Sequence, residues 1–357
     1  MIGLPLHRSY LIHGVPLRVA SDLPVVVEAI EDRMAGFRHD GPVPGGALLF
    51  EYRAAGGRGE RPSGGELLFS STWPTAFDLG FPGRRLDIYR QEGCHLFDLH
   101  DQVHLLHDPV AGRLSGHLLK PTEIDPAFFA AYCFLLPLSE ALKHRGLYPI
   151  HASAVEKQGR GVLIPAQSGG GKTTCCLALL RGGYRSLSDD RPFLRGHPGR
   201  IEVLSFPDRF DVTETTISFF PDLQIVASFL PPPGRRKCSI DPELLFPNCV
   251  SAAAVPELIL FPQVTGRREY RAVPLPKETA LKEILPHSLL VFEPGAAARQ
   301  FDLLARLIEQ ADCYRLLLGR NPLDLPKLVD RLLGRMGMDS REIAVPSGLN
   351  EEPGWVS

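Results

Sequence analysis

Ser168-Gly169-Gly170-Gly171-Lys172-Thr173-Thr174 has the residue types and order of an anion cradle. Consecutive glycines let the backbone wrap an anion with its N–H groups turned inward. A helix opening at this point adds the positive end of its dipole. The Lys172 ammonium can reach the outer phosphates of a nucleotide, and the Thr173 hydroxyl suits Mg²⁺. Upstream, Gly161 to Pro165 reads as a buried strand; downstream, Thr174 to Arg181 reads as a helix. Strand, glycine-rich loop, Lys-Thr and helix in this order predict a phosphate site of the P-loop (Walker A) kind. One position departs from GxxxxGK[ST]: Ala166 stands where the first glycine belongs. Alanine fails there only if the position needs a positive φ.

A pair of carboxylates follows. Gly182-Gly183 stops the helix, Tyr184 to Leu187 continues as a strand, and Ser188-Asp189-Asp190-Arg191 comes next. A βαβ crossover returns the chain to the same sheet, and ligands sit at the carboxyl ends of its strands. The aspartates are therefore expected beside the glycine loop. One could hold Mg²⁺, directly or through water, while the other accepts a proton from an attacking hydroxyl. His151 lies on a segment expected to hairpin onto Gly161–Pro165 through Lys157-Gln158-Gly159-Arg160. It either faces the nucleotide or the acceptor, or is a hydrogen-bonded core histidine.

The elements that must position these groups are short, since the chain carries 34 Gly and 33 Pro in 357 residues. At about 150 residues per domain, two domains are expected. Residues 1–120 read mostly as strands: Tyr10 to Val19 with a central turn, Gly46 to Tyr52, Leu86 to Arg90 and Gln102 to Leu106. Leu23 to Met34 is an amphipathic helix candidate among them. A second unit, 121–339, opens at a helix capped by Asp125 with Pro126 at its first position. Phe128 to Leu138 is too short to span a membrane and reads as buried helix. From Ile150 strands and helices alternate, which is α/β behaviour. Arg271 to His287, Phe301 to Gln310 and Leu325 to Met336 read as helices, Tyr314 to Leu318 as a strand, and 340–357 as a fraying tail.

A net charge of −2 supplies no general pull toward nucleic acid or anionic lipid. Seven cysteines without a CxxC pair imply reduced thiols and a cytoplasmic protein. Cys175 and Cys176, just past the loop, are expected to pack against the sheet. Cys94, His95, His100, His104 and His107 could suggest a metal site, yet their strand-like alternation is expected to place them on mixed faces. Arg209 and Arg235-Arg236-Lys237 are candidate phosphate clamps, with solvated loop charge as the simpler reading.

His151-Ala152-Ser153-Ala154, Gly161-Val162-Leu163-Ile164, Ser168 to Thr173, Arg181-Gly182-Gly183-Tyr184-Arg185 and Ser188 to Arg191 resemble the catalytic core of HPr kinase/phosphorylase. They look closer still to the HPr-kinase-related proteins of bacterial peptide-modification clusters, including lasso-peptide kinases. The resemblance is sharp from His151 to Arg191, faint from there to about residue 335, and does not cover residues 1–120. It implies a phosphoenolpyruvate-carboxykinase-like P-loop core; with the smaller strand-rich domain read over residues 1–120, which could recognise the acceptor, the chain is expected to be α/β (α+β overall). It further implies transfer of the γ-phosphoryl group of ATP, with Mg²⁺, to a serine hydroxyl of a peptide or small protein. By position, Asp189 matches the family's general base and Asp190 its companion carboxylate near the metal. Lys172 and Thr173 match phosphate and Mg²⁺ ligands, Ser168 to Thr174 the nucleotide loop, and His151 a histidine near the reacting phosphate. Relatives form rings or dimers, so a homo-oligomer is open. The segment that follows in true HPr kinases has no clear counterpart, which argues against HPr as substrate and against phosphorolysis. Two rivals stay open: a nucleotide-binding scaffold or peptide chaperone without transfer chemistry, and a kinase of a small hydroxyl compound such as free serine.

Overall fold

The computed structural model describes residues 6–55, 65–72, 85–100, 102–206, 209–220, 223, 237–288, 292–334 and 343–344. The chain is mixed α/β and divides into two compact units: 1–148 with 290–297, and 149–289 with 298–357. The expected boundary at 120/121 therefore falls earlier than this division. The Asp125-capped helical run belongs to the first unit because its aromatic face packs there: the Tyr52 hydroxyl donates to the Cys133 carbonyl at 2.9 Å, and the Tyr52 and Phe129 rings meet edge to face.

The first unit is built on one eight-stranded sheet in the order β1-β2-β3-β8-β7-β6-β5-β4. Its strands are β1 (Leu6–Ile12), β2 (Val15–Ser21), β3 (Leu48–Ala54), β4 (Glu66–Thr72), β5 (Arg85–Gln91), β6 (Cys94–Asp98), β7 (Val103–Asp108) and β8 (Arg113–Leu118). Alternation makes β3 a strand, since Leu48, Phe50 and Tyr52 are buried while Glu51 and Arg53 are exposed. β1 and β2 join through His13-Gly14, both at positive φ, the backbone that a two-residue hairpin demands. Helix α1 (Pro24–Met34) then crosses over to place β3 parallel to β2. The run after Asp125 is not a regular α-helix. Phe129–Leu135 is π-helical before α2 (Leu136–Lys143) resumes.

His95 and His107 are paired across β6 and β7, fully buried, and none of their four ring nitrogens has a hydrogen-bond partner. They share a buried face with Phe50, Phe97 and Phe292, while His104 meets Asp98 on the other face of the strands, so the cluster lies on mixed faces as expected. Glu293 stands 3.8 Å from His95 Nε2 and 3.0 Å from His144 Nε2, and Lys143 pairs with Glu140 nearby. Among the described residues no group of three or more His, Cys, Asp or Glu could hold a metal ion.

The second unit is built on a ten-stranded sheet that positions the site. β9 (Tyr148–Pro149) begins it, and β10 (Ala152–Lys157) and β11 (Arg160–Pro165) form the expected hairpin, turned at Gln158-Gly159 with positive φ. Helix α3 (Lys172–Arg181) leads to β12 (Arg185–Ser188), which pairs antiparallel with β10 and so runs parallel to β11. β13 (Phe193–His197), β14 (Arg200–Leu204), β15 (Phe210–Val212), α4 (Glu214–Phe219) and β16 (Cys238–Ile240) follow; among the described residues β15 and β16 pair only with each other. The central strand β17 (Ala253–Val264) runs parallel to β11 and to β19 (Asp312–Leu318). Val162, Ile164, Leu177, Leu180, Leu258, Leu260 and Leu316 form one core with Leu328 and Leu332. Burial of this kind stabilises the sheet by about 1.5–3 kcal/mol per large apolar side chain.

Two expectations need correction here. Arg271–Pro274 is strand β18, not helix, because Pro274 and Pro276 cannot continue an α-helix; α5 (Lys277–Ile284) starts directly after them. The tail is not wholly frayed: Ile343–Ala344, β20, pairs with Arg271 and Ala272, while the remainder of 340–357 lies outside the described residues. Helix α6 (Pro294–Gln310) starts earlier than expected, and α7 (Leu325–Leu333) completes the core. Among the described residues no helix is long and apolar enough to cross a membrane.

The buried histidines give an acid-sensitivity prediction. Burial pushes His95 down to about 4 and His107 well below its ordinary value; His144, Lys143 and Arg90 reinforce the effect at His95 while Glu293 opposes it. A lowered histidine pKa means that the unfolded chain takes up protons first. Stability is therefore full above about pH 6.5 and is lost as pH falls toward 4. The melting temperature should drop over this window by calorimetry, and His107→Leu should reduce the drop. Equal pH dependence in the variant would contradict the assignment.

Candidate functional site

The loop between β11 and α3 has the backbone that its glycines permit. Gly169 and Gly171 have φ of +80° and +92°. Gly170 needs its size instead: a Cβ there would lie 2.9 Å from Ala166 Cβ and 3.0 Å from the Gln167 carbonyl. A Cβ on Gly171 would also meet Leu318 at 2.9 Å. Ala166 is not among the residues with positive φ, so alanine is accommodated without strain at the first motif position. Ser168 and Gly169 are exposed, and the helix dipole begins directly behind them. At Gly169 a Cβ would meet nothing within 4 Å, so the exposed side of the loop is open, and a loop of these residue types suits a phosphate chain.

Lys172 is the first residue of α3 and is buried. Its Nζ donates to the Ala166 carbonyl at 2.6 Å and to His151 Nε2 at 2.9 Å. An ammonium only donates, so Nε2 must accept and the ring proton must sit on Nδ1. Nδ1 in turn lies 2.9 Å from Asp190 Oδ1. Lys172, His151 and Asp190 thus form one polar chain. Burial lowers the lysine pKa, and the two aspartates partly restore it.

The acidic turn is stitched to the start of β10. The Ala152 amide donates to the Asp190 carbonyl, and the Ser188 hydroxyl accepts from the amides of Asp190 and Arg191. Asp189 is buried and accepts from Thr173 Oγ1 at 2.7 Å on Oδ2 and from Ser153 Oγ at 2.8 Å on Oδ1. Burial pushes its carboxyl up to about 7, against the pull of those two hydroxyls. Asp190 is more exposed; burial acts upward on it too. Its hydrogen bond to His151, with the charges of Arg191 and Lys172, nevertheless holds it well below the usual carboxylate range. The two neighbours are therefore split, one near neutral pH and one firmly ionised, as acid–base chemistry requires.

The structure brings Lys172, Thr173, Asp189, Asp190 and His151 together, with Gly169 to Gly171 beside them. Thr174 points elsewhere, with its hydroxyl 3.2 Å from that of Thr216 on α4. Lys237 stands close enough for its charge to act on Lys172; Arg235 and Arg236 lie outside the described residues. Cys175 and Cys176 are buried packing residues, and burial pushes the Cys175 thiol up to about 12.

Sequence reasoning missed two contributors. His287 stacks on His151 at 6.1 Å between ring centroids, and its carbonyl accepts the His151 amide at 2.7 Å. Burial, with the nearby charge of Lys172, pushes its imidazole down to about 4. No local pattern marks a single histidine so far along the chain. Ser153 stood inside a quoted motif, but its aim at Asp189 depends on the pairing of β10 with β12.

The family model described as SynChlorMet cassette protein ScmC matches residues 118–220, which includes the loop and the acidic turn. The Hpr(Ser) kinase/phosphatase from Coxiella burnetii is a similar solved structure, at 16% identity and a TM-score of 0.30, covering 53% of this chain and 92% of that one. No curated protein sequence matches.

Gly171→Ala tests the cradle directly. A left-handed backbone costs a non-glycine residue about 1–2 kcal/mol, and the Leu318 contact adds to it. The variant loop relaxes away from this backbone and must re-form it around an anion, so calorimetric affinity for pyrophosphate should fall by about tenfold or more, with the melting temperature lowered by a few degrees at most. Unaltered affinity would mean that the anion does not use this loop.

Proposed function

We propose that this chain is an ATP- and Mg²⁺-dependent kinase that transfers the γ-phosphoryl group to a serine hydroxyl of a peptide or small protein in the cytoplasm. The observation that carries the reading is the convergence of Lys172, Thr173, Asp189 and Asp190 at the mouth of a glycine cradle. The core is read as phosphoenolpyruvate-carboxykinase-like. The ScmC match over 118–220 supports the reading only in that it spans all four of these residues.

In this reading the loop amides from Ser168 to Thr174 and the Lys172 ammonium hold the phosphates, and Thr173 and Asp190 hold Mg²⁺. When bound, Mg²⁺ neutralises charge on the transferring group. Asp189, poised near neutral pH, accepts the proton of the acceptor hydroxyl. The acceptor oxygen forms its bond to the γ-phosphorus as the bond to the β-phosphate oxygen breaks, and ADP leaves. Lys172 gives up its contacts to Ala166 and His151 for the phosphates. His151 stays held by Asp190 through Nδ1.

A second reading has one specific observation in its favour. Both carboxylate oxygens of Asp189 already accept hydrogen bonds from within the protein. A nucleotide-binding scaffold without transfer chemistry would need no free oxygen there.

The two separate in one assay: γ-labelled ATP with Mg²⁺ and host extract, resolved into small-molecule, peptide and protein fractions. The kinase reading expects label in a peptide or small-protein band. Lys172→Ala should abolish it, and Asp189→Asn should keep nucleotide affinity while lowering transfer by about a hundredfold or more. Label on a small hydroxyl compound would change the acceptor class. No label in any fraction, with ATP still bound, would replace the kinase by the scaffold.

A further inference from the structure

Ser153 is fully buried on β10, between Ala152 and Ala154. A hydroxyl in such a position costs stability unless it is hydrogen-bonded. Its oxygen lies 2.8 Å from Asp189 Oδ1 and 2.7 Å from the Asp189 carbonyl. The one hydroxyl proton is thus shared between the main-chain carbonyl and the carboxylate of the same aspartate. The other oxygen is held by Thr173, which the proposed chemistry also engages as a Mg²⁺ ligand. Ser153 has no such second duty.

We propose that Ser153 is a positioning residue for the Asp189 carboxylate, fixing its rotation so that Oδ2 faces the nucleotide loop. The terminal torsion of aspartate is broad, and a single remaining hydrogen bond from Thr173 leaves it free to turn. Ser153 sits on β10, paired on one side with β11 and on the other with β12. The strand that carries Ser153 is thereby tied both to the strand that feeds the glycine loop and to the one that feeds the acidic turn. A site held by strands is more precise than one held by its own loop. The inference rests on the kinase reading, because positioning matters only if Asp189 takes part in transfer.

The test is steady-state kinetics of the full chain with its labelled acceptor fraction. Ser153→Ala should lower kcat by about tenfold to a hundredfold, as misplacement of a catalytic group does, with KM for ATP within about twofold. Ser153→Thr, which keeps the hydroxyl, should recover most of the loss. Where its extra methyl prevents folding, the double variant decides. Ser153→Ala added to Asp189→Asn should cost nothing further, since both changes act through one group. A kcat of Ser153→Ala equal to wild type, or full multiplicative loss in the double variant, would overturn the proposal and leave the kinase intact. Absence of transfer by the wild-type protein would overturn the kinase reading, and the positioning role with it.

Discussion

Asp189 is a carboxylate with almost no access to water, and removing a charge from water is costly unless hydrogen bonds replace the solvent. The replacements come from two different elements, Ser153 on β10 and Thr173 at the start of α3. These contacts constrain the surrounding structure. β10 must pair with β12 at a register that sets Ser153 under the acidic turn, and α3 must begin at Lys172 so that Thr173 faces the same point. The turn is closed by main-chain hydrogen bonds from Ala152 to Asp190 and by the Ser188 hydroxyl. The glycine loop, the acidic turn and the histidine segment converge on one edge of the sheet around this aspartate.

The second aspartate is governed by opposite forces. Asp190 is partly exposed and meets a histidine and an arginine, so it stays charged. Two adjacent side chains of the same type therefore carry different chemistry, set by what each one touches. The chain from Asp190 through His151 to Lys172 also fixes the proton on the ring, with the imidazole donating to the carboxylate and accepting from the ammonium. His287, kept neutral against His151, adds no competing charge to that chain.

The loop was legible because its constraints are local. Glycines at positive φ, a lysine at the helix start and a threonine beside it are all neighbours in sequence. The hairpin through Gln158-Gly159 was legible for the same reason. Ala166 raised a question that only the backbone could answer, and its φ answers it. What stayed hidden depends on distant pairing. His287 lies far along the chain from His151, Ser153 finds Asp189 only through the β10–β12 ladder, and β18 forms only because β19 and β20 flank it. In the first unit the hairpins were readable. The boundary was not, because the helical run after Asp125 is claimed by Tyr52 and the other aromatic residues it packs against, and because residues 290–297 return from the later sequence to join that unit.

The central claim is that the glycine loop and the acidic turn form one nucleotide-phosphate site. A crystal structure of the full chain with Mg²⁺ and a non-hydrolysable ATP analogue tests it most directly. The expected result is a triphosphate on the amides of Ser168 to Thr174, with Lys172 moved from His151 to the phosphates and Asp189 still joined to Ser153. A nucleotide bound elsewhere, or a loop left with Lys172 on His151 and Ala166 at saturating analogue, would contradict it.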